Sequence, residues 1–462
     1  MRLSQETLGG LSSAVSRFGY DRDAQAVGIV HLGIGAFHRA HQAWYTDAAM
    51  DQGCRNWMIA GVSFRSRDAA VKLCPQDGLF TVAERSGEGT AYRLVGSVRN
   101  VVPSTGVRPQ APAFIAVSST RIVSLTITEK GYCRSPDGTL DQVQAAEPAS
   151  IYPTLIEGLR RRRQAKLGGL TILSCDNLAG NGAQLARLVQ DYCDRHDAEL
   201  GSWIAAECSF PSTMVDRIVP ATTMPDLIEA ERSIGLRDAA AVVTEPFSQW
   251  VIEDSFAAGR PAWEKVGVEL VQEVAPYEAA KLRMLNGAHS ALAYLGLARG
   301  HAFVHEAVAD PAIRPLIERL MRQEAAGSLK PAAGQDLRAY ADSLLARFAN
   351  SQLRHQLSQI ATDGSQKISQ RWLETLAFHQ KEGRQCPGIL TALAAWLRHI
   401  RGDNGPVDDP MAEILAVTWQ SEGAGGIVDS LFDEGGLMAS AWRPSQADRA
   451  FLIDRIDAPA RG

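Results

Sequence analysis

The sequence predicts two domains of different class, an α/β domain over residues 1–275 and a mainly α-helical domain over residues 276–462. Three observations carry this. The chain has 462 residues, which at roughly 150 residues per domain predicts two or three domains. Over its first two thirds, short β-branched runs alternate with helix-like stretches, the pattern of a mostly parallel sheet covered by helices. From about Pro276 onward the strand signals vanish and the apolar spacing becomes helical.

In order, the strand candidates are Gly28 to Leu32, Trp57 to Phe64, Ile122 to Thr128, Leu170 to Cys175 and Ala241 to Ile252, with helices at Arg39 to Gln52 and Ile151 to Lys166. Thr81 to Glu84 followed by Arg93 to Val98 reads as an added hairpin, which predicts a mixed sheet. Pro276 suits the first turn of a helix, and Tyr277 to Leu297 runs on without a breaker beyond isolated glycines. Asp310 to Glu324, Asp336 to Asn350, Ile368 to Gln380, Ile389 to Ile400 and Met411 to Gln420 complete the helical set. The charge run Arg160 to Arg163 reads as a solvated helix end, its cations near the negative end of the dipole.

Composition narrows the function classes. Hydrophobic residues at 45% and charged residues at 21% are those of a packed globular protein, so disordered and fibrous readings fall away. Forty-seven basic against fifty-two acidic residues leave a net charge of -5, with no excess to neutralise a phosphate backbone, so nucleic acid is not an expected partner. Met1 to Gly10 lacks a signal-peptide layout and no apolar run reaches the roughly 18 residues of a membrane helix. The expected location is the cytoplasm, with no membrane partner. Seven cysteines, odd in number and never spaced C-x-x-C, predict reduced, mostly buried thiols.

The first chemical motif is Ile29-Val30-His31-Leu32-Gly33-Ile34-Gly35-Ala36-Phe37-His38-Arg39-Ala40-His41. An apolar strand, a Gly-x-Gly turn and a helix is how a Rossmann-like dinucleotide-binding domain begins, because glycines let the backbone approach a pyrophosphate. His38 replaces the third glycine, so an ordinary strand-to-helix turn remains a reading of the motif alone. After the second strand, Ser63-Phe64-Arg65-Ser66-Arg67-Asp68 offers Asp68 for the ribose hydroxyls of NAD and Arg65 or Arg67 for the extra phosphate of NADP. His31, His38 and His41 lack a carboxylate or thiol to complete a metal site, so no metal is expected.

The second motif is Lys281-Leu282-Arg283-Met284-Leu285-Asn286-Gly287-Ala288-His289. At roughly 100° per residue, Lys281, His289 and Asn286 fall at about 0°, 80° and 140°, one sector of a helix. Apolar neighbours such as Met284, Leu285 and Leu292 would desolvate an ammonium and push its pKa toward that of a general base. An amide like Asn286 can donate to a developing alkoxide. The alternative is a helix whose lysine reaches to solvent and whose Asn and His are satisfied locally. Tyr277 and Lys281 also form the Tyr-x-x-x-Lys of short-chain dehydrogenases, but far beyond the glycine turn and in too long a chain.

Taken together, the glycine turn, Ser174-Cys175-Asp176-Asn177, Lys281 to His289 and Asp363-Gly364-Ser365-Gln366-Lys367 resemble the polyol-specific long-chain dehydrogenases, the mannitol dehydrogenase family, over about Gly28 to Gln420. The resemblance implies an N-terminal nucleotide-binding domain, a helical C-terminal domain, substrate in the cleft between them, NAD as cofactor with NADP an alternative, no metal, and a monomer. It implies Lys281 as general base in alcohol oxidation and acid in ketone reduction, Asn286 and Asn177 as the oxyanion-stabilising pair, and His289 and Asp216 near the substrate hydroxyls. Gly33, Ile34, Gly35, Ala36, Phe37, His38, Arg39 and Asp68 would hold the cofactor.

Thr128-Glu129-Lys130-Gly131-Tyr132-Cys133 and Glu245 to Asp254, with Gly259-Arg260-Pro261, resemble the branch of that family that acts on linear sugar acids, interconverting D-mannonate and D-fructuronate. Lys130 stands where mannitol-type members tend to carry a small residue, and a cation there would favour a carboxylate through a charge-assisted hydrogen bond. Lys367, Arg283 and Arg371 are further candidates, with a surface ion pair the expected role of Arg371. Ser369 stands where that branch often has proline, which predicts a shifted helix start. The alternative activity is a mannitol or arabinitol 2-dehydrogenase acting on neutral polyols. A nicotinamide-binding sensor without turnover would have no use for Lys281, Asn286, His289 and Asn177 together.

Overall fold

The strands of the first unit, Met1–Ala275, are β1 (Val27–Leu32), β2 (Met58–Ser63), β3 (Phe80–Ser86), β4 (Gly89–Val95), β5 (Val98–Pro103), β6 (Ile122–Leu125), β7 (Thr171–Ser174), β8 (Thr213–Asp216), β9 (Val242–Thr244), β10 (Gln249–Glu253) and β11 (Glu269–Val271). They are drawn from a computed structural model that describes residues 1–64, 67–103, 110–135 and 137–458. Five of them form one sheet in the order β5-β2-β1-β6-β7, with every pairing parallel. Strands β2, β6 and β7 are buried at every residue, as expected where helices cover both faces. The order runs outward from β1 on both sides, so the connection reverses between β1 and β6. In such sheets the crevice at the carboxyl ends of the reversing strands is where ligands bind.

The expected mixed sheet is corrected by this arrangement. The hairpin β3–β4 is present, but it joins β9 in a separate three-stranded sheet, β4-β3-β9, and Arg93 to Val98 spans the end of β4 and the start of β5. The predicted strand Ala241 to Ile252 is two strands in different sheets: β9 runs parallel to β3, while β10 lies between β8 and β11. Pro246, between them, has no N–H to donate to a ladder, so a continuous central strand is excluded there. The predicted helix Arg39 to Gln52 is also divided, into Ala36–Ala40 and Gln42–Asp51, at His41 (φ -122°, ψ -93°). The His41 ring is anchored elsewhere, with Nε2 3.1 Å from the Gln249 carbonyl oxygen and the indole of Trp250 edge-on at 5.3 Å. The chain start is tied to a distant segment: Leu3 N donates to Arg237 O at 2.9 Å and Arg237 N to Met1 O at 2.8 Å.

The second unit, Pro276–Gly462, is built from helices around one apolar core that encloses Trp372, Trp396, Trp442, Tyr294, Phe348 and Phe432. Three helical rods carry a π-helical stretch that periodicity does not predict. Ala275–Ala280 continues through Lys281–Asn286 (π) into Gly287–Leu297, Arg314–Arg319 into Leu320–Ala325 (π), and Gly364–Ile368 through Ser369–Leu373 (π) into Glu374–Lys381. The first π stretch packs against the other two. Ser369 begins a π stretch inside a continuous rod, where a shifted helix start was expected. No helix among the described residues is long and apolar enough to cross a membrane.

Candidate active site

At the switch point of the parallel sheet lies a cavity of about 520 Å³. Gly33, Ile34 and Gly35 from the end of β1 line it, with Ser63 and Phe64 beyond β2 and Thr126, Ile127, Thr128 and Lys130 beyond β6. Gly33 has φ +99°, and a Cβ there would stand 2.1 Å from the Thr126 carbonyl oxygen, so only glycine fits. A Cβ on Gly35 would meet nothing nearer than Gly33 O at 3.8 Å, leaving bare backbone toward the cavity. Thr128, β-branched yet at φ +62°, stores strain on the cavity wall. The carboxylate of Asp176 holds that strain, accepting from Ile127 N and Thr128 N at 3.0 Å and from the Tyr132 hydroxyl at 2.8 Å. Burial pushes the Asp176 carboxyl up from its ordinary value, against these hydrogen bonds. The quoted motif Ser174 to Asn177 contains Asp176, yet its role is visible only once β6 and β7 are seen to be neighbours.

Beneath the glycine turn runs a chain of polar side chains. Thr126 Oγ1 donates to Gly33 O at 2.8 Å, so it accepts from His31 Nε2, also at 2.8 Å. A neutral ring protonated on Nε2 then accepts at Nδ1 from Ser124 Oγ, 2.8 Å away. Ser124 lies 2.7 Å from the side-chain amide of Gln42. For that amide to complete the chain it presents its NH2 to Ser124, the flip opposite to the one that leaves Nε2 buried without a partner. Burial drives the His31 pKa down to about 3, in keeping with a neutral ring.

The remaining cofactor candidates divide. His38 is fully buried and stacks on His31 with ring centroids 3.4 Å apart, and Arg39 is 9% exposed, its pKa pushed down to about 10 by burial. Their side chains pack inside the turn and are not among the residues that line the cavity. Phe37 stacks on His41 at 5.0 Å, and neither it, Ala36 nor Asp68 is among the lining residues. Asp68 opens the helix Asp68–Leu73, while Arg65 lies outside the described residues. Asn177 is exposed beyond β7, and Asp216, 5% exposed, ends β8. No group of three or more His, Cys, Asp or Glu side chains among the described residues is arranged to hold a metal ion.

In the second unit, the π winding changes the geometry of Lys281-x-x-x-x-Asn286. A helix bonded i to i+5 turns more slowly than one bonded i to i+4, so five residues come closer to one full turn and the separation of Lys281 from Asn286 narrows. Both are half-buried. His289 is 8% exposed, its Nε2 has no partner among the described residues, and burial followed by the charges around it holds its pKa well below the ordinary value. It is a neutral ring with an unused nitrogen.

The cation candidates separate by what they already hold. Arg283 is committed, donating to Ser328 O and Oγ at 3.1 Å and to Glu374 at 2.7 Å. Lys367 Nζ donates to Thr362 O at 2.6 Å and stands 3.7 Å from Asp363, with burial lowering its pKa. Lys130 is exposed on the cavity wall beside the glycine turn. Among the described residues Arg371 makes no surface ion pair. It is largely buried, and its Nη1 donates to Ser290 Oγ at 2.6 Å and to the Asn286 carbonyl at 3.3 Å. Its neighbour Trp372 donates from Nε1 to the next carbonyl, Gly287 O, at 3.1 Å.

Comparison with known proteins matches two family models to the chain. A family model described as the mannitol dehydrogenase Rossmann domain matches residues 27–265, and one for the mannitol dehydrogenase C-terminal domain matches residues 273–426. The uncharacterised oxidoreductase YeiQ of Escherichia coli (strain K12) is 42% identical, covering 86% of each chain. The D-mannonate oxidoreductase of the same strain is 40% identical, covering 89% of this chain and 88% of its own. The Pseudomonas fluorescens mannitol 2-dehydrogenase, solved as a ternary complex with NAD and D-mannitol, superposes with a TM-score of 0.83 at 36% identity, covering 99% of this chain and 96% of its own.

Proposed function

Because the chain belongs to the mannitol dehydrogenase family of oxidoreductases, we propose that it interconverts a secondary alcohol and a ketone on a linear sugar acid, D-mannonate and D-fructuronate, with NAD. The observation that carries the chemistry is the π turn of the second unit, which draws Lys281 and Asn286 toward one line on a helix whose next turn presents the neutral His289. The cavity beside Gly33 and Gly35 suits the cofactor, since its floor is backbone with no side chain in the way and it sits at the switch point of the sheet. When bound, the nicotinamide supplies the acceptor or donor of hydride.

The roles of this chain's own residues follow from their chemistry. In the oxidation direction Lys281 takes the proton of the reacting hydroxyl, and it returns that proton in reduction. Asn286 and Asn177 are assigned as amide donors to the oxygen on which charge develops. His289 Nε2 orients a neighbouring hydroxyl, and Asp216 is assigned to the substrate in the same way. No metal ion enters this scheme. The sugar-acid reading is supported by the 40% identity to a D-mannonate oxidoreductase and by cations that a neutral polyol would leave unused. Likeness to a mannitol 2-dehydrogenase favours the second reading, a neutral polyol.

The test is initial-rate reduction of NAD and of NADP with D-mannonate, D-altronate, D-mannitol and D-arabinitol at matched concentrations. Highest kcat/KM with D-mannonate and NAD is expected, and preference for D-mannitol would move the substrate to the polyol branch. Lys281→Ala should lower kcat by about 10² to 10⁴-fold while the Kd for NADH stays within a few-fold, and unaltered turnover would remove Lys281 from the mechanism.

A further inference from the structure

Several buried and half-buried arginines of this protein are satisfied in one of two ways, although Arg39 keeps its Nε without a partner among the described residues. Arg22 and Arg162 spread their N–H groups over main-chain carbonyls, with Gly96, Asp77 and Val98 as acceptors for the first and Gly168, Ile115 and Val117 for the second. Arg93, Arg217 and Arg283 each have a carboxylate, from Asp47, Glu84 and Glu374 respectively. Arg371 follows neither pattern. Only its Nη1 is used, on one hydroxyl and one carbonyl, and among the described residues no acid stands within ion-pair distance.

A guanidinium carries five donors, so Arg371 retains the Nη2 and Nε face, the face that grips a carboxylate with two parallel bonds. Burial lowers its pKa to about 10. Lys367 lies within its field, and after burial the charge of Arg371 is the next cause that lowers the Lys367 pKa. An anion placed between them would offset the burial of Arg371 and the repulsion felt by Lys367. The pair is continuous with the proposed chemistry, because Nη1 of Arg371 is fixed to the carbonyl of Asn286 and to Ser290, the residue after His289. One face of the guanidinium is thus locked to the helix and the other is left to a ligand.

Resting on the sugar-acid reading above, we propose that Arg371 is the anchor for the substrate carboxylate, assisted by Lys367, and so determines the preference for an aldonate over a polyol. A carboxylate arriving there replaces the missing counter-ion, whereas a neutral hexitol leaves the guanidinium desolvated and unpaired, a discrimination built into the site.

The experiment is steady-state kinetics of the full chain and its R371M, R371Q and R371K variants with D-mannonate and with D-mannitol at saturating NAD. Loss of a buried charge pair predicts a fall of about a hundredfold or more in the ratio of kcat/KM for D-mannonate to that for D-mannitol in R371M. The loss should reside mainly in KM, with R371K recovering part of the ratio. R371Q removes the charge but keeps a donor for Ser290, so it reads the same ratio if R371M does not fold. Equal losses on both substrates would overturn the proposal, leaving Arg371 as a prop of the helix, and so would an unaltered ratio. A wild-type protein that prefers D-mannitol rejects the sugar-acid reading by itself. The anchor is then judged by D-gluconate: inhibition competitive with D-mannitol and weakened in R371M and R371Q supports it, and absence of inhibition overturns it.

Discussion

Gly33 and Thr128 face the same cavity with opposite backbone economies. The glycine adopts φ +99° without cost, while the threonine at φ +62° is held there by Asp176. Gly33→Ala would place a methyl 2.1 Å from Thr126 O and add about 1–2 kcal/mol of left-handed strain. A lower Tm and a loss of NADH affinity, by fluorescence titration, are expected together. Residue identity was legible at Gly33, because a Gly-x-Gly after an apolar strand names its own requirement. It was not legible at Arg162 and Arg371, both read as surface charges. Arg162 is 4% exposed and donates to three carbonyls, while its neighbours Arg160, Arg161 and Arg163 pair with Glu157, Asp197 and Glu199. A run of like residues conceals such differences, since what separates them is which way each projects from the helix.

The π stretches show what periodicity can and cannot report. The rod from Ala275 to Leu297 was expected from its unbroken run of helix formers, but an apolar stripe has nearly the same spacing whether a helix closes its hydrogen bonds at i+4 or i+5. What maintains the wider turn is tertiary: Arg371 and Trp372 donate to the successive carbonyls of Asn286 and Gly287. Trp372→Phe keeps most of the apolar volume and removes one donor from a buried carbonyl, so a loss of about 1–3 kcal/mol is expected in urea unfolding. Strand edges failed where a breaker was underweighted, as at Pro246, and where pairing was non-local. Nothing near the hairpin β3–β4 says that its partner is β9, more than 150 residues downstream. Strand and helix existence was carried by local pattern, and sheet membership by contacts the pattern does not contain.

At the scale of the molecule, imidazoles whose pKa burial lowers set a pH dependence, with His355 and His399 among them. His31, His38 and His289 are buried and held below the roughly 6.5 of an exposed histidine. As pH falls through about 6.5 the unfolded chain takes up protons that the native rings refuse, so their contribution is complete above that pH and is lost below it, at up to about 1.4 kcal/mol per pH unit for each ring. Urea midpoints should fall from pH 7.5 to pH 5.5, and a flat profile would show that the rings ionise in place. The buried carboxyls of Asp47, Asp176 and Asp238, raised by burial, act in the opposite sense at more acid pH. The α/β-then-helical order was legible because it rests on the change of apolar spacing near Pro276, a property summed over many residues. The arrangement of the cations around Asn286 was not, because it depends on which side chains two distant rods bring together.

The tie between Met1, Leu3 and Arg237 has a consequence in time. A chain leaves the ribosome from its amino end at about 5–20 residues per second, so the opening residues wait for their partners until Arg237 has emerged. The strand β3 waits as long for β9. During that interval, on the order of ten seconds or more at such rates, the nascent hairpin presents an open edge to solvent, and the first unit cannot close until nearly its last residues are made. Synthesis arrested before Ala241 should therefore yield a chain that chaperones retain, and release should coincide with the appearance of Thr244.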